Sequence, residues 1–255
     1  MAKMTDIAAQ VAELVPSLEK PAFFPVVENV VTNEDDADDE TPFGTDDPQA
    51  SKFGGQPLLS REHGWPSCGK CKARMGFVMQ IIKTELPDAH RAALKGDLLQ
   101  VFWCRDCQDQ GGSEDLFSKS ALVREIGIAD ALASEADEGQ TITFLRSWRP
   151  MPTFPSAPEE LKWAKIAKGD LLDAIMDALS EKADAAEEDE EGEQRDVRLG
   201  GWLRWTSAAR VVKCKCKAPL MPLLQLGQLG PMAGDGHTVT VMRCGSCGNK
   251  ALLSQ

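Results

Sequence analysis

The sequence predicts an α+β, β-rich fold that is internally duplicated and carries a cysteine metal knuckle in each half. Three observations predict it. A basic residue, an apolar residue, two glycines and a cysteine pair leading to a glutamine occur twice. The first copy is Lys52-Phe53-Gly54-Gly55 with Cys68, Cys71 and Gln80, and the second is Arg198-Leu199-Gly200-Gly201 with Cys214, Cys216 and Gln225. In both copies thirteen positions separate the second glycine from the first cysteine, and nine separate the second cysteine from the glutamine. Chance rarely preserves two such intervals together. Finally, all eight cysteines fall into the scheme, Cys104 and Cys107 closing the first copy and Cys244 and Cys247 the second.

The elements follow in order. Residues 1–19 read as an N-terminal helix, with Ile7, Val11, Leu14, Val15 and Leu18 at helical spacing behind Thr5 as N-cap and Pro16 ending or bending it. Residues 20–149 form the first repeat. In it Lys20–Val27 reads as a strand, and 34–47, acidic with Pro42 and Gly44, reads as a loop. Met75, Phe77, Met79 and Ile81 alternate with Gly76, Val78 and Gln80, the period of a strand with one buried face. Gln100–Trp103 is a β-rich run that delivers Cys104. Leu122, Val123, Ile126, Ala129 and Leu132 have helical spacing within 118–134, interrupted by Gly127, and Thr141–Trp148 reads as a strand.

Residues 150–197 connect the repeats. A Pro-rich extended run over 150–158 leads to a capping box of Ser156 and Glu159 with Pro158 early in the helix. Leu161, Ala164, Ala167, Leu171, Leu172, Ile175, Met176 and Leu179 continue the helical region, broken at Gly169, and the acidic run 187–193 reads as a solvated linker. The second repeat spans 198–255. There Leu220, Pro222, Leu224 and Leu226 fall in phase about Gln225, with Pro222 demanding an edge or a bulge, and Thr238–Met242 delivers Cys244.

Composition bounds what such a fold can do. At 255 residues and 42% apolar, the chain can build a real core. No window approaches about eighteen uninterrupted apolar residues, and the start lacks the apolar stretch of a secretory signal. The expected compartment is therefore cytoplasmic, where thiols stay reduced and paired cysteines more often bind metal than form disulfides. A formal net charge of -12 speaks against nucleic acid and favours a basic protein or peptide partner, or simply solubility.

Zinc takes four thiolates tetrahedrally, and two short cysteine pairs supply that shell with no position left open. The first copy reads C-x2-C, thirty-two intervening residues, C-x2-C; the second opens with the tighter Cys214-Lys215-Cys216, followed by twenty-seven. The expectation is two Zn(2+) per chain, held by Cys68, Cys71, Cys104 and Cys107 and by Cys214, Cys216, Cys244 and Cys247. Redox-active or simply buried thiols are the alternative. Lys70, Lys72, Arg74 and Arg105 around the first set, with Lys213, Lys215, Lys217 and Arg243 around the second, would offset the charge of four thiolates. His63, His90 and His237 join no nucleophile constellation, and no catalytic residue is assigned. The glycine pairs fit turns at positive φ better than phosphate cradles, and Gln80 and Gln225 are expected to bond backbone.

The string Lys52–Pro57, Trp65-Pro66, Cys68-Gly69-Lys70-Cys71 and Met75–Ile81 resembles the YwqG-like family, and Gly200-Gly201-Trp202 with Cys216 and Leu223–Leu226 is similar to its second half. The run Gln100–Cys104 also resembles the related programmed cell death protein 2 family, whose eukaryotic members chaperone a basic ribosomal protein. The resemblance spans roughly residues 20 to 255. It implies a duplicated β-rich α+β fold and a protein- or peptide-binding role without established enzymatic activity. Some bacterial relatives are read as immunity proteins against toxins. The sequence departs from the family at the shortened Cys214-Lys215-Cys216 and in lacking a proline after the second glycine pair. A zinc-stabilised module for a basic client is thus the leading expectation, with an immunity protein as its variant. A metal-dependent or thiol-redox enzyme would need an open coordination position or an isolated low-pKa thiol, and the sequence offers neither clearly.

Overall fold

The computed structural model describes residues 2–39, 41–104, 106–107, 119–134, 141–187, 197–206, 208–227 and 238–254. Helix α1 (Ala2–Ser17) begins ahead of Thr5, which therefore lies within the helix and not at its cap, and Pro16 falls in its last turn. Strand β1 (Lys20–Val31) runs four residues past the expected end because Val30 and Val31 are buried. The acidic segment that follows is more ordered than a solvated loop. It holds a 3-10 turn at Glu34–Asp36 capped by the Asn33 side chain, Phe43 bridges Val31, Gly44 packs against Val30, and Asp46 is buried beside Lys52.

Next come β2 (Lys52–Phe53), β3 (Leu58–Ser60) and β4 (Gly76–Ile82). Strand β4 is buried on both faces, not one. Its inner residues Val78, Met79 and Ile81 join the main core, while Ile82 packs under Leu58. After α2 (Asp88–Arg91) and β5 (Leu98–Trp103), the helical spacing over 118–134 gives no α-helix among the described residues 119–134. The region forms β6 (Ala121–Ile126), a 3-10 turn, and β7 (Ala131–Ala133). Pairing of β6 with β5 along its whole length decides this: Ala121 and Val123 meet the core, and Leu122 and Ile126 pack on the other face. A short apolar run fits both periods, and tertiary pairing selects one.

Strand β8 (Thr141–Thr153) absorbs the first prolines of the expected connection and pairs with β1 from Lys20↔Thr153 to Val31↔Thr141. Helix α3 (Pro158–Trp163) has Pro158 in its first turn and Ala157 at the cap. The expected capping box does not form: the Ser156 N–H donates to Glu160, and the Ser156 hydroxyl donates to the Leu203 carbonyl. Helix α4 (Asp170–Glu187) starts after Gly169 at φ +59. Of the acidic run, 188–193 lies outside the described residues. The chain ends with β9 (Arg198–Gly200), β10 (Leu220–Leu226), β11 (Val239–Cys244) and β12 (Lys250–Ser254). Strand β10 is internal to the sheet and bulges between Pro222 and Leu224, as its proline requires.

Ten strands form one antiparallel sheet in the order β12-β11-β10-β9-β1-β8-β2-β4-β5-β6, and β3 pairs with β7 as a cover over the outer face of β4, β5 and β6. Strand β1 joins β8 to β9, so the first long strand of the chain lies beside the glycine pair of the second half. The sheet's two ends approach each other, and Lys250 on β12 forms an ion pair with Glu125 on β6, leaving the sheet nearly closed. Its largest core cluster draws Val78, Leu99, Val101, Leu199, Leu224 and Val241 from both halves. Helices α1, α3 and α4 make a separate layer around Val15, Leu18, Leu161, Ile175 and Leu179. No helix among the described residues is long and apolar enough to cross a membrane.

Candidate metal centres

Both cysteine quartets assemble. The sulfurs of Cys68, Cys71, Cys104 and Cys107 lie within 4.8 Å of one another, and so do those of Cys214, Cys216, Cys244 and Cys247. Across the first set Cys68 and Cys107 are 3.9 Å apart and Cys71 and Cys104 3.5 Å. In the second, Cys214–Cys247 and Cys216–Cys244 are both 3.5 Å. A disulfide would bring two sulfurs to about 2.05 Å. Four thiolates at about 2.3 Å from a tetrahedral metal stand roughly 3.8 Å apart. The spacing is that of ligands around one metal, and all eight cysteines are unbridged.

The backbone builds each set from a tight turn and a strand end. The Cys68 N–H donates to the Ala73 carbonyl at 2.8 Å and the Lys72 N–H returns to the Cys68 carbonyl at 3.0 Å, a loop that needs Lys72 at φ +68. Strand β5 then delivers Cys104, whose N–H donates to the Ser120 carbonyl at 2.8 Å. In the second set the Cys214 N–H donates to the Ala218 carbonyl at 2.8 Å, Lys217 stands at φ +71, and β11 ends on Cys244. The shortened cysteine pair therefore still delivers both sulfurs to one cluster.

Backbone N–H groups set the charge balance. Burial alone would raise the Cys68 thiol, but the N–H groups of Cys71 and Lys70 hold it down at about 6. The Lys70 N–H lies 3.3 Å from its sulfur. Cys244 is likewise brought to about 6 by the Cys247 N–H, against burial and with help from the Ser246 N–H. Neighbouring sulfur pushes others up. Cys107 rises to about 12 chiefly through Cys71 and burial, and Cys216 to about 12 through Cys244 and burial, in spite of the Ala218 N–H. Closely packed thiols resist losing all their protons until a cation enters among them.

The basic side chains read as charge compensation do other work at two positions. Arg74 stacks over Trp65 at 3.7 Å, and the Lys72 ammonium donates to the Gly69 carbonyl. Arg105 and His237 lie outside the described residues. His63 is exposed near Ser60, His90 packs on Phe23, and neither joins a quartet.

The glycine pairs are turns: Gly54, Gly55, Gly200 and Gly201 stand between φ +69 and +73. Gln80 donates to the Pro48 and Ala50 carbonyls and accepts from the Leu58 N–H, while Gln225 both donates to the carbonyl and accepts from the N–H of Arg204. Sequence reasoning missed two arrangements. Lys52, fully buried, pairs with Asp46, which also accepts the Gln56 N–H. Arg124 reaches Gln100, which in turn reaches Gln80. The repeated basic residue at Lys52 was a signal for the first; a lone arginine in an apolar run gave none for the second.

With four thiols in each set, a bound metal would have its tetrahedral shell completed by protein, the chemistry of a structural rather than a Lewis-acid site. No protein-family model matches the chain, and no curated protein matches it.

Proposed function

We propose that this chain is an internally duplicated binding module, stabilised by two zinc ions, that holds a basic protein or peptide client as a chaperone does and turns over no substrate. The observation that carries the reading is the completeness of both quartets, four thiols each and no histidine or carboxylate among the ligands. A closed zinc contributes folding energy and leaves no position for substrate. The net charge of -12 supplies the preference for a basic client. The motifs that resemble the YwqG-like family, with its binding-protein relatives, agree with it.

Several structural offsets support the duplication. The N–H groups that donate to Gln80 and Gln225 belong to Leu58 and Arg204, each three residues past the second glycine. Lys52 faces Gln80 in register, and Arg198 faces Gln225. The left-handed lysines Lys72 and Lys217 each follow the second cysteine of their pair. Ladder irregularities fall between Phe77 and Met79 and between Pro222 and Leu224, six and eight residues past that cysteine in both cases. The sheet order is palindromic about β1 and β8, so a pseudo-two-fold axis between these strands would exchange β2 with β9, β4 with β10, β5 with β11 and β6 with β12.

The test is to capture clients on the zinc-loaded protein, then titrate each purified client by calorimetry across salt. Screening shortens from about 10 Å at 0.1 M to about 3 Å at 1 M. A basic client should bind stoichiometrically, with affinity falling as salt rises while zinc content stays constant. A salt-insensitive complex would remove the electrostatic mechanism, and a turnover activity lost with any one cysteine would replace the reading with an enzyme.

A further inference from the structure

A cleft of about 900 Å³ opens between the Ser60–Pro66 segment and the outer face of β6. That volume is within the range of small-molecule sites. Its floor is apolar, with Leu122 and Ile126, and Arg124 lies between them on the same face of the strand. The Arg124 guanidinium donates through Nε to the Gln100 side chain at 2.9 Å and through Nη1 to the Gly64 carbonyl at 3.2 Å, and it stacks 4.8 Å from the Phe102 ring. Its Nη2 is buried and has no partner among the described residues.

That is unusual in a chain with 40 acidic residues and 28 basic ones. A half-buried arginine normally meets a carboxylate, because burying an unpaired charge is costly. Among the described residues the carboxylates lining the cleft are otherwise engaged or turned to solvent. Glu125 is paired with Lys250 and accepts the Lys95 and Gly96 N–H groups, and the Glu62 side chain is 84% exposed with His63 beside it. Burial lowers the Arg124 pKa, with no acidic neighbour among the described residues raising it back. Arg61 at the rim adds a second positive charge.

We infer that this cleft binds a small ligand carrying a carboxylate on an apolar group, with Arg124 as the anchor of the carboxylate and Leu122 and Ile126 as the apolar floor. The unpartnered Nη2 offers a carboxylate oxygen a charge-assisted hydrogen bond. One such donor over an apolar floor suits a monovalent amphipathic acid better than a phosphate, which calls for more donors. The cleft borders the cluster that buries Cys68, Cys104 and Cys107 but uses none of their sulfurs, and it does not depend on the client reading.

The test is calorimetric titration of the full-length zinc-loaded protein with N-acetyl-leucine, N-acetylleucinamide and inorganic phosphate. N-acetyl-leucine should bind saturably, and the amide at least roughly tenfold more weakly, the loss expected on removing a charge-assisted hydrogen bond. Arg124→Gln should lower affinity by a similar factor. Gly127→Phe, which keeps the arginine and adds bulk at a cleft-lining position where a Cβ meets nothing closer than 3.7 Å, should abolish binding while zinc content and unfolding midpoint stay at wild-type values, and it decides the matter if Arg124→Gln fails to fold. No binding of N-acetyl-leucine, equal binding of the amide, tighter binding of phosphate, or wild-type binding by either folded variant would overturn the assignment.

Discussion

Lys52 is the residue at which composition and structure diverge most. Its side chain is fully buried, and burial lowers its pKa while the hydrogen bond and charge of Asp46 work to raise it. Breaking a buried pair by removing one partner typically costs about 3–5 kcal/mol, whereas replacing both by apolar side chains of similar volume is often neutral. Asp46→Ala should therefore destabilise the protein by about that amount in denaturant unfolding, with Lys52→Met/Asp46→Leu recovering most of it. An unchanged Asp46→Ala midpoint would show that the pair does not hold the glycine turn. The cysteines give the second prediction at this scale. Cys107 and Cys216, held at about 12, are protonated at neutral pH together with Cys104 and Cys247, which are also raised, while Cys68 and Cys244 at about 6 are largely ionised. Each zinc should displace about two or three protons, so affinity rises with pH and is lost on acidification. Calorimetry in buffers of different ionisation enthalpy measures that number. The cysteine quartets were legible because ligand chemistry is written in one residue type at short spacing. Asp46 was not, because it sits in an acidic run that reads as solvated and only the fold turns it inward.

At the scale of elements, the glycine pairs and the glutamines hold each turn against its strand. A Cβ on Gly201 at φ +70 would stand 2.5 Å from the Thr153 hydroxyl and 2.6 Å from the Ala22 Cβ. Gly201→Ala should cost at least about 2 kcal/mol, from left-handed backbone and overlap together. Gly127→Ala is the control: its φ of -80 suits any residue and the nearest atom would be 3.7 Å away, so stability should stay within about 1 kcal/mol. The turns were legible as doubled glycines. The stretch over 118–134 was not, since Leu122, Val123 and Ile126 fit helix and strand alike and only the ladder with β5 chooses. Similarly, β4 read as one-sided because the cover supplied by β3 and β7 comes from residues distant in sequence.

For the whole molecule, the sequence foresaw a β-rich chain with a cysteine set in each half, but not how the halves meet. One sheet runs through both, the strands β1 and β8 lie at its centre, and its ends are clasped by Lys250 and Glu125. Nothing local marks β1 as a neighbour of β9, because that pairing spans most of the chain. In such an arrangement each quartet fixes one end of a strand pair, β4 with β5 and β10 with β11, so loss of either metal should loosen a flank of the shared sheet. The most direct measurement is elemental analysis of reduced, gel-filtered protein, with the same measurement on Cys68→Ser and Cys244→Ser. Two zinc ions per chain are expected for the wild type and one for each variant, with a lowered unfolding midpoint in both. A folded, fully reduced wild-type protein that contains no metal would contradict this.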